Sequence, residues 1–180
     1  VERLQEEYDV EVTWLPFELH PEIPPEGMAV PEYIRAGAAG GVGERLRQMA
    51  QESGREIVLN QEWMVNSRQA LEAAEYAREQ GRHERFHEIV FRKFYGEGQD
   101  MSRWDVLRAA AEEAGLDPEE MQQAVASGRY REVVEGHIRE AHSLGITGVP
   151  AYVLGDKYLI MGAQPYEVFR QAMEQLLAEA

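Results

Sequence analysis

A chain of 180 residues that is 44% hydrophobic and 9% aromatic has enough apolar side chain for one folded domain, or for one domain carrying a large insertion. Its 18 Lys+Arg against 33 Asp+Glu give a formal net charge of -15, a field that repels phosphate backbones and acidic membranes and so weighs against both as partners. There is no cysteine, which excludes disulfides, thiolate metal sites and a cysteine nucleophile within these residues, and no run approaches the roughly 20 apolar residues that span a bilayer.

Val1 to Tyr8 is predicted as the end of a helix. It is acidic and amphipathic, unlike a signal peptide, and it has neither a capping residue nor an initiating methionine, so the chain reads as starting inside a helix. Val10 to Phe17 alternates Val10, Val12 and Trp14 against Glu11, Thr13 and Leu15, the period of a strand. Leu19 to Pro31 holds four prolines and Gly27, a loop composition. A helical block is predicted from about Tyr33 to Ser143. Its first stripe is Leu46, Met49 and Ala50, stopped by Gly54, and Ile57 to Leu59 is a short extended piece. Asn66 with Gln69 resembles a capping box for a helix facing inward through Leu71, Ala74 and Ala77. A phenylalanine-rich helix follows from about His83 to Phe94. Ser102 is predicted to cap a helix ending at Gly115, and Asp117-Pro118-Glu119-Glu120 places a cap, a first-turn proline and two acids at the next start. Tyr130, Val133, Val134, His137, Ile138 and Ala141 form one more stripe, stopped by Gly145. Ala151–Leu154 and Lys157–Met161 then flank Gly155-Asp156, a hairpin with a two-residue turn. Pro165 opens a closing helix with Val168, Phe169, Ala172, Met173, Leu176 and Leu177 inside.

His83-Glu84-Arg85-Phe86-His87 fits H-E-x-x-H, in which histidines four apart share a helix face that can bind Zn²⁺ and the glutamate acts as general base. Arg85 inside the motif, the absence of an evident third ligand and the shared face with Val90 and Phe94 favour two histidines edging a helical core, so no metal site is expected. His137 lies on another apolar stripe. His142 reads as a helix-end residue beside terminal carbonyls, and Trp14, Trp63 and Trp104 read as packing residues.

The segment Gly145-Ile146-Thr147-Gly148-Val149-Pro150-Ala151-Tyr152-Val153 resembles the TGVP-type loop of the thioredoxin fold. The order of elements resembles that fold with an all-helical domain inserted, and with the first strand and the start of the first helix absent. Phe17-Glu18-Leu19-His20-Pro21 with Glu26-Gly27-Met28, Asn66-Ser67-Arg68-Gln69-Ala70, and Phe94 to Ser102 followed by Leu107 and Ala114-Gly115-Leu116-Asp117 resemble the DsbA family of thiol–disulfide oxidoreductases, in particular its cytoplasmic FrnE-like branch. The resemblance implies an α/β thioredoxin-like domain from residues 1–32 and 144–180, with a helical insertion over 33–143. It also implies a cis proline at Pro150 facing the redox motif, with Val149 presenting its backbone to an extended peptide and Thr147 and Gly148 beside it. His20, in the loop near the expected redox face, is a candidate substrate contact or thiolate-tuning group, beside the plainer reading of an exposed loop histidine.

The family's Cys-x-x-Cys stands at the start of the first helix, where the helix N-terminus lowers the thiol pKa. Here that segment would precede Val1. The first strand of a thioredoxin fold lies between the second strand and the terminal hairpin, and without it both neighbours keep unpaired backbone groups. The expectation is therefore that such a segment belongs to the protein. With it, the chain is expected to be a cytoplasmic enzyme acting on protein or small-molecule thiols and disulfides, without a cofactor, with a second copy of the chain as a further candidate partner. The alternatives are a glutathione-dependent isomerase or transferase of the kappa type, in which serine replaces a cysteine, and a redox-inactive peptide-binding module.

Overall fold

In a computed structural model of the chain, residues 1–32, 35, 43–52, 54, 57, 58 and 62–179 are described. Tyr33, Leu59 and the side chains of Leu46 and Met49 lie outside the described residues, and Ala50 of that stripe is half-buried. The chain divides into two compact units, a sheet unit of Val1–Leu19 with Gly136–Ala180 and a helical unit of His20–Glu135. Among the described residues no helix is long and apolar enough to cross a membrane.

The sheet unit contains α1 (Glu2–Glu7), the hairpin β3 (Ala151–Leu154) and β4 (Tyr158–Met161), and α8 (Tyr166–Ala178). Its core is Leu4, Ile160, Phe169 and Met173, with Tyr8, Val10, Tyr152, Leu154, Tyr166 and Ala172 packed around them. The hairpin is antiparallel, pairing Ala151 with Met161 and Leu154 with Tyr158. Gly155 and Asp156 both have positive φ, as a tight hairpin turn of this hand requires, and the Lys157 N–H closes on the Leu154 carbonyl at 3.1 Å. Because Leu154 pairs with Tyr158, three residues rather than two separate the strands. Lys157 belongs to the turn.

Two expectations fail in this unit. Residues 10–17 form no strand, since a strand needs a ladder partner and none pairs with them among the described residues. The alternation still reports burial at its start, where Val10 and Val12 are half-buried, whereas Trp14 and Leu15 are exposed. In α8, Phe169 and Met173 are buried, but Val168 and Leu177 are exposed, because the helix covers only one side of a small hairpin.

The helical unit contains β1 (Met28–Ala29), α2 (Gly43–Glu52), β2 (Trp63–Met64), α3 (Arg68–Glu79), α4 (His83–Phe91), a wide turn over Arg92–Gly96, α5 (Trp104–Ala114) and α6 (Pro118–Ala126). A further helix, α7 (Arg131–Ser143), runs from this unit into the other. The two-residue ladder of β1 and β2 is not signalled in the sequence. It depends on Gly27 at φ 78, against which Trp63 and the Met64 carbonyl are packed. The core is a continuous cluster from Ala70, Ala73, Tyr76 and Ala77 through Phe86, Ile89 and Val90 to Leu107, Met121, Val125 and Tyr130. Ala77 of the expected α3 stripe is buried and Ala74 packs half-buried against the core, but the stripe centres on 70, 73, 76 and 77, and it also takes in two glutamates, Glu72 and Glu75. Arg78 holds the buried Glu75 carboxylate from Nε at 3.1 Å.

The helix starts satisfy their free N–H groups in different ways. Asp117 accepts from the Glu120 N–H at 2.9 Å with Pro118 in the first turn, as its sequence requires. Asn66 accepts from the Arg68 N–H at 2.9 Å and donates through Nδ2 to the Ile23 carbonyl at 2.6 Å, tying the start of α3 to the proline-rich loop. Gln69 does not complete a capping box, and its Oε1 is buried with no hydrogen-bond partner among the described residues. Ser102 is not a cap. Its N–H and hydroxyl both donate to Asp100 Oδ1, which builds the turn before α5.

Candidate functional site

The loop from Leu144 to Pro150 is fixed at both ends. At its start α7 stops at Gly145, whose φ of 78 only glycine adopts without strain. The Ile146 N–H closes on the Ala141 carbonyl at 2.9 Å, and the Ile146 side chain is buried as the anchor of that turn. At its end the Gly162 N–H donates to the Pro150 carbonyl at 2.7 Å, one rung beyond the Ala151–Met161 pair. Between these anchors Thr147, Val149 and Pro150 are exposed and Gly148 is half-buried. The Val149–Pro150 peptide bond is cis. Val149 is 48% exposed, and its main chain enters no hydrogen bond among the described residues. An apolar side chain beside an open N–H and C=O, at the head of a strand, is an arrangement to which another extended chain can pair.

Thr147, Gly148, Val149 and Pro150 are thus presented on one loop of the sheet unit. His20 belongs to the helical unit, where its Nδ1 lies 3.0 Å from Glu22 Oε1 at the start of the proline-rich loop. Sequence reading did not single out Gly162. Its signal was available: a glycine directly after the apolar run Tyr158 to Met161 marks where a chain leaves its ladder. Also unread was the edge-on contact of Phe17 with His142, ring centroids 5.5 Å apart, which gives His142 an aromatic neighbour at the end of α7.

The H-E-x-x-H segment occupies the first turns of α4. The rings of His83 and His87 are stacked with centroids 5.9 Å apart, and His87 packs on Phe91 at 4.3 Å. Arg78 Nη2 lies 3.0 Å from His83 Nε2, so the guanidinium stands where a shared metal would have to approach. Burial, and then the Arg78 charge and His87, hold the His83 imidazole down at about 4, and burial with Arg78 lowers His87 as well. Both rings are neutral packing groups near pH 7. Among the described residues no three of His, Asp and Glu are grouped to hold a metal ion.

Known proteins share this architecture. Residues 1–174 match the DSBA-like thioredoxin domain family. An uncharacterised protein of Bacillus subtilis (strain 168), YwbO, is 30% identical over 171 residues, which is 92% of this chain and 82% of that protein. The crystal structure of a probable DsbA oxidoreductase from Streptomyces coelicolor superposes with a TM-score of 0.80 at 29% identity, covering 95% of this chain and 77% of that one. A 2-hydroxychromene-2-carboxylate isomerase shares the fold, with a TM-score of 0.79 at 21% identity over 99% of this chain and 87% of that one. The thioredoxin fold, the loop before its terminal hairpin and the match along residues 1–174 agree: the chain belongs to the DSBA-like thioredoxin domain family.

Proposed function

We propose that this chain is the platform of a thiol–disulfide oxidoreductase of the FrnE-like branch, acting in the cytoplasm on protein or small-molecule disulfides. The chemistry would be carried by a Cys-x-x-Cys segment outside these 180 residues. The observation that supports it best is the doubly anchored loop, with Val149 exposed and its main chain open in front of Pro150. Val149 would pair with the main chain of an extended substrate, Thr147 and Gly148 would border it, and Pro150 would stand opposite the sulfurs. The exposed apolar residues of the sheet unit, Trp14, Leu15 and Val153 among them, suit a unit that takes a further strand.

In the reducing direction the first cysteine thiolate would attack one sulfur of the substrate disulfide. That S–S bond breaks, one substrate sulfur leaves as thiolate, and a mixed disulfide forms. The second cysteine thiolate would then attack the first cysteine's sulfur and release the other substrate sulfur. The substrate gains two electrons and two protons, and the Cys-x-x-Cys pair loses them. Oxidation of a substrate dithiol is the reverse.

Intact mass before and after alkylation of the natural gene product, with its disulfide-exchange rate on an unfolded disulfide-bonded protein, tests this reading. Two alkylatable cysteines in one Cys-x-x-Cys pair, and loss of exchange when the first is replaced by serine, are the expected result. A lone serine or cysteine with glutathione-dependent isomerisation would overturn it in favour of the kappa-type reading. Neither cysteine nor exchange, with peptide binding retained, would leave a redox-inactive module.

A further inference from the structure

The register of the hairpin gives Pro150 only half of a normal rung. Residues 150 and 162 stand opposite each other, next in line after Ala151 and Met161. A hydrogen-bonded antiparallel pair exchanges two N–H···O bonds, but proline has no N–H to give. One bond remains, from the Gly162 N–H to the Pro150 carbonyl at 2.7 Å. Gly162 then turns away at φ 77, where a residue with a Cβ is strained. The turn is secured by Gln164, whose Nε2 donates to the Met161 carbonyl at 2.8 Å. A Cβ at 162 would meet nothing closer than Gln164 Nε2 at 3.8 Å, so glycine stands there for its backbone and not for lack of room.

We infer that Gly162 is a positioning residue for substrate, acting through the Pro150 carbonyl to hold the Val149 main chain where an extended peptide can pair with it. The inference rests on the reading of this loop as the peptide-receiving edge. Gly162 touches neither the substrate nor the reacting sulfurs in this role. With its N–H rotated out of line, the carbonyl of Pro150 loses its partner and Val149, one residue upstream, loses its fixed direction.

A matched pair of variants separates this from general backbone strain. Gly162→Ala and Gly115→Ala both place alanine at φ 77, and Gly115 has nothing within 4 Å of the added methyl. Gly115 ends α5 in the other unit. The probe is a fluorescein-labelled, unstructured peptide of alternating valine and serine, followed by fluorescence anisotropy with the full-length protein. Gly162→Ala is expected to weaken binding by about tenfold or more, and Gly115→Ala by less than about twofold, at comparable losses of thermal stability. Equal effects of the two variants on binding would overturn the inference. A wild-type protein that does not bind the peptide overturns the reading of the loop instead, so the two failures are distinct. If Gly162→Ala does not fold, amide shifts of the wild-type protein decide: Gly162 and Val149 should titrate together with the same Kd. A Val149 shift with Gly162 unmoved would overturn the inference.

Discussion

The two units of this protein solve the problem of burial differently. Among the described residues the helical unit encloses a cluster of fifteen buried residues, with α3, α4, α5 and α6 each contributing a face. Among the described residues the apolar cluster of the sheet unit has four buried members, Leu4, Ile160, Phe169 and Met173, with Ile146 buried apart from it in the loop after α7. Its strands are apolar on both sides, as strands covered on both faces are, yet Val153 is 46% and its cross-strand partner Leu159 41% exposed. The first unit closes around its core; the second leaves apolar surface and backbone open.

The largest test of that contrast is a truncation in each core. Phe86→Ala removes a ring that is 1% exposed at the centre of the helical cluster and should cost about 3–5 kcal/mol in urea denaturation of the helical unit. Phe169→Ala removes an equally large ring from a smaller cluster that relaxes more freely, and a loss of about 2–3 kcal/mol is expected. Equal losses would break the comparison. Gly27→Ala comes next, because the new methyl would collide with Trp63 and stand 2.7 Å from the Met64 carbonyl, at a positive φ. Backbone strain and overpacking together should cost about 2–4 kcal/mol and release the β1–β2 ladder, seen as faster amide exchange at Val30, whose N–H bonds the Glu62 carbonyl. Asp117→Ala removes one side-chain cap from α6 and should cost about 1 kcal/mol, read from the same denaturation curves.

What the sequence made legible follows the same division by range. Asp117 with Pro118 acts within four residues of chain, so its turn was readable where it stands; Gly155 with Asp156 marked the hairpin, while the strand register adds Lys157 to its turn. The exposed loop Thr147 to Pro150 before the hairpin was legible because its residues are consecutive. Gly162 was not, because only the strand register brings it to Pro150 from twelve positions away. Residues 10–17 carried a true alternation at Val10 and Val12 but no information about a partner, and a strand is a property of two segments. The α3 stripe was legible at Ala77 and in part at Ala74, but Ala70, Ala73 and Tyr76 were not, because Glu72 and Glu75 sit inside among them and charged residues are read as surface until a partner such as Arg78 is seen.

A pH titration probes the helical unit more finely. His83 faces Arg78, His87 and, through Arg78, the buried Glu75. Folding lowers its pKa from the ordinary 6.5 to about 4. Between those values the unfolded imidazole takes up a proton and the folded one does not, so unfolding binds a proton and stability rises with pH through that window. It is complete above about 6.5 and is lost as the pH falls towards 4. His83→Gln keeps an acceptor for Arg78 without the titration. Between neutral pH and about pH 4.5 the wild type should lose about 1 kcal/mol more than this variant, a figure reduced for the ring's partial exposure to solvent. Parallel losses in the two proteins would show that His83 is not held neutral by its neighbours.

The smallest expected effect is the sharpest for the sheet unit. Val153→Thr exchanges one β-branched residue for another of nearly the same shape and strand preference, and differs from it by a hydroxyl in place of a methyl. At a buried site that hydroxyl would need a partner and cost about 1–3 kcal/mol; on an open face it is hydrated. With Val153 and Leu159 exposed opposite each other, the stability of the sheet unit should change by less than about 0.5 kcal/mol, while binding of a hydrophobic dye falls. A cost above about 1.5 kcal/mol would mean that this face is covered in solution. The sheet unit would then be as closed as the helical one, and the contrast between them would fail where it matters most for function.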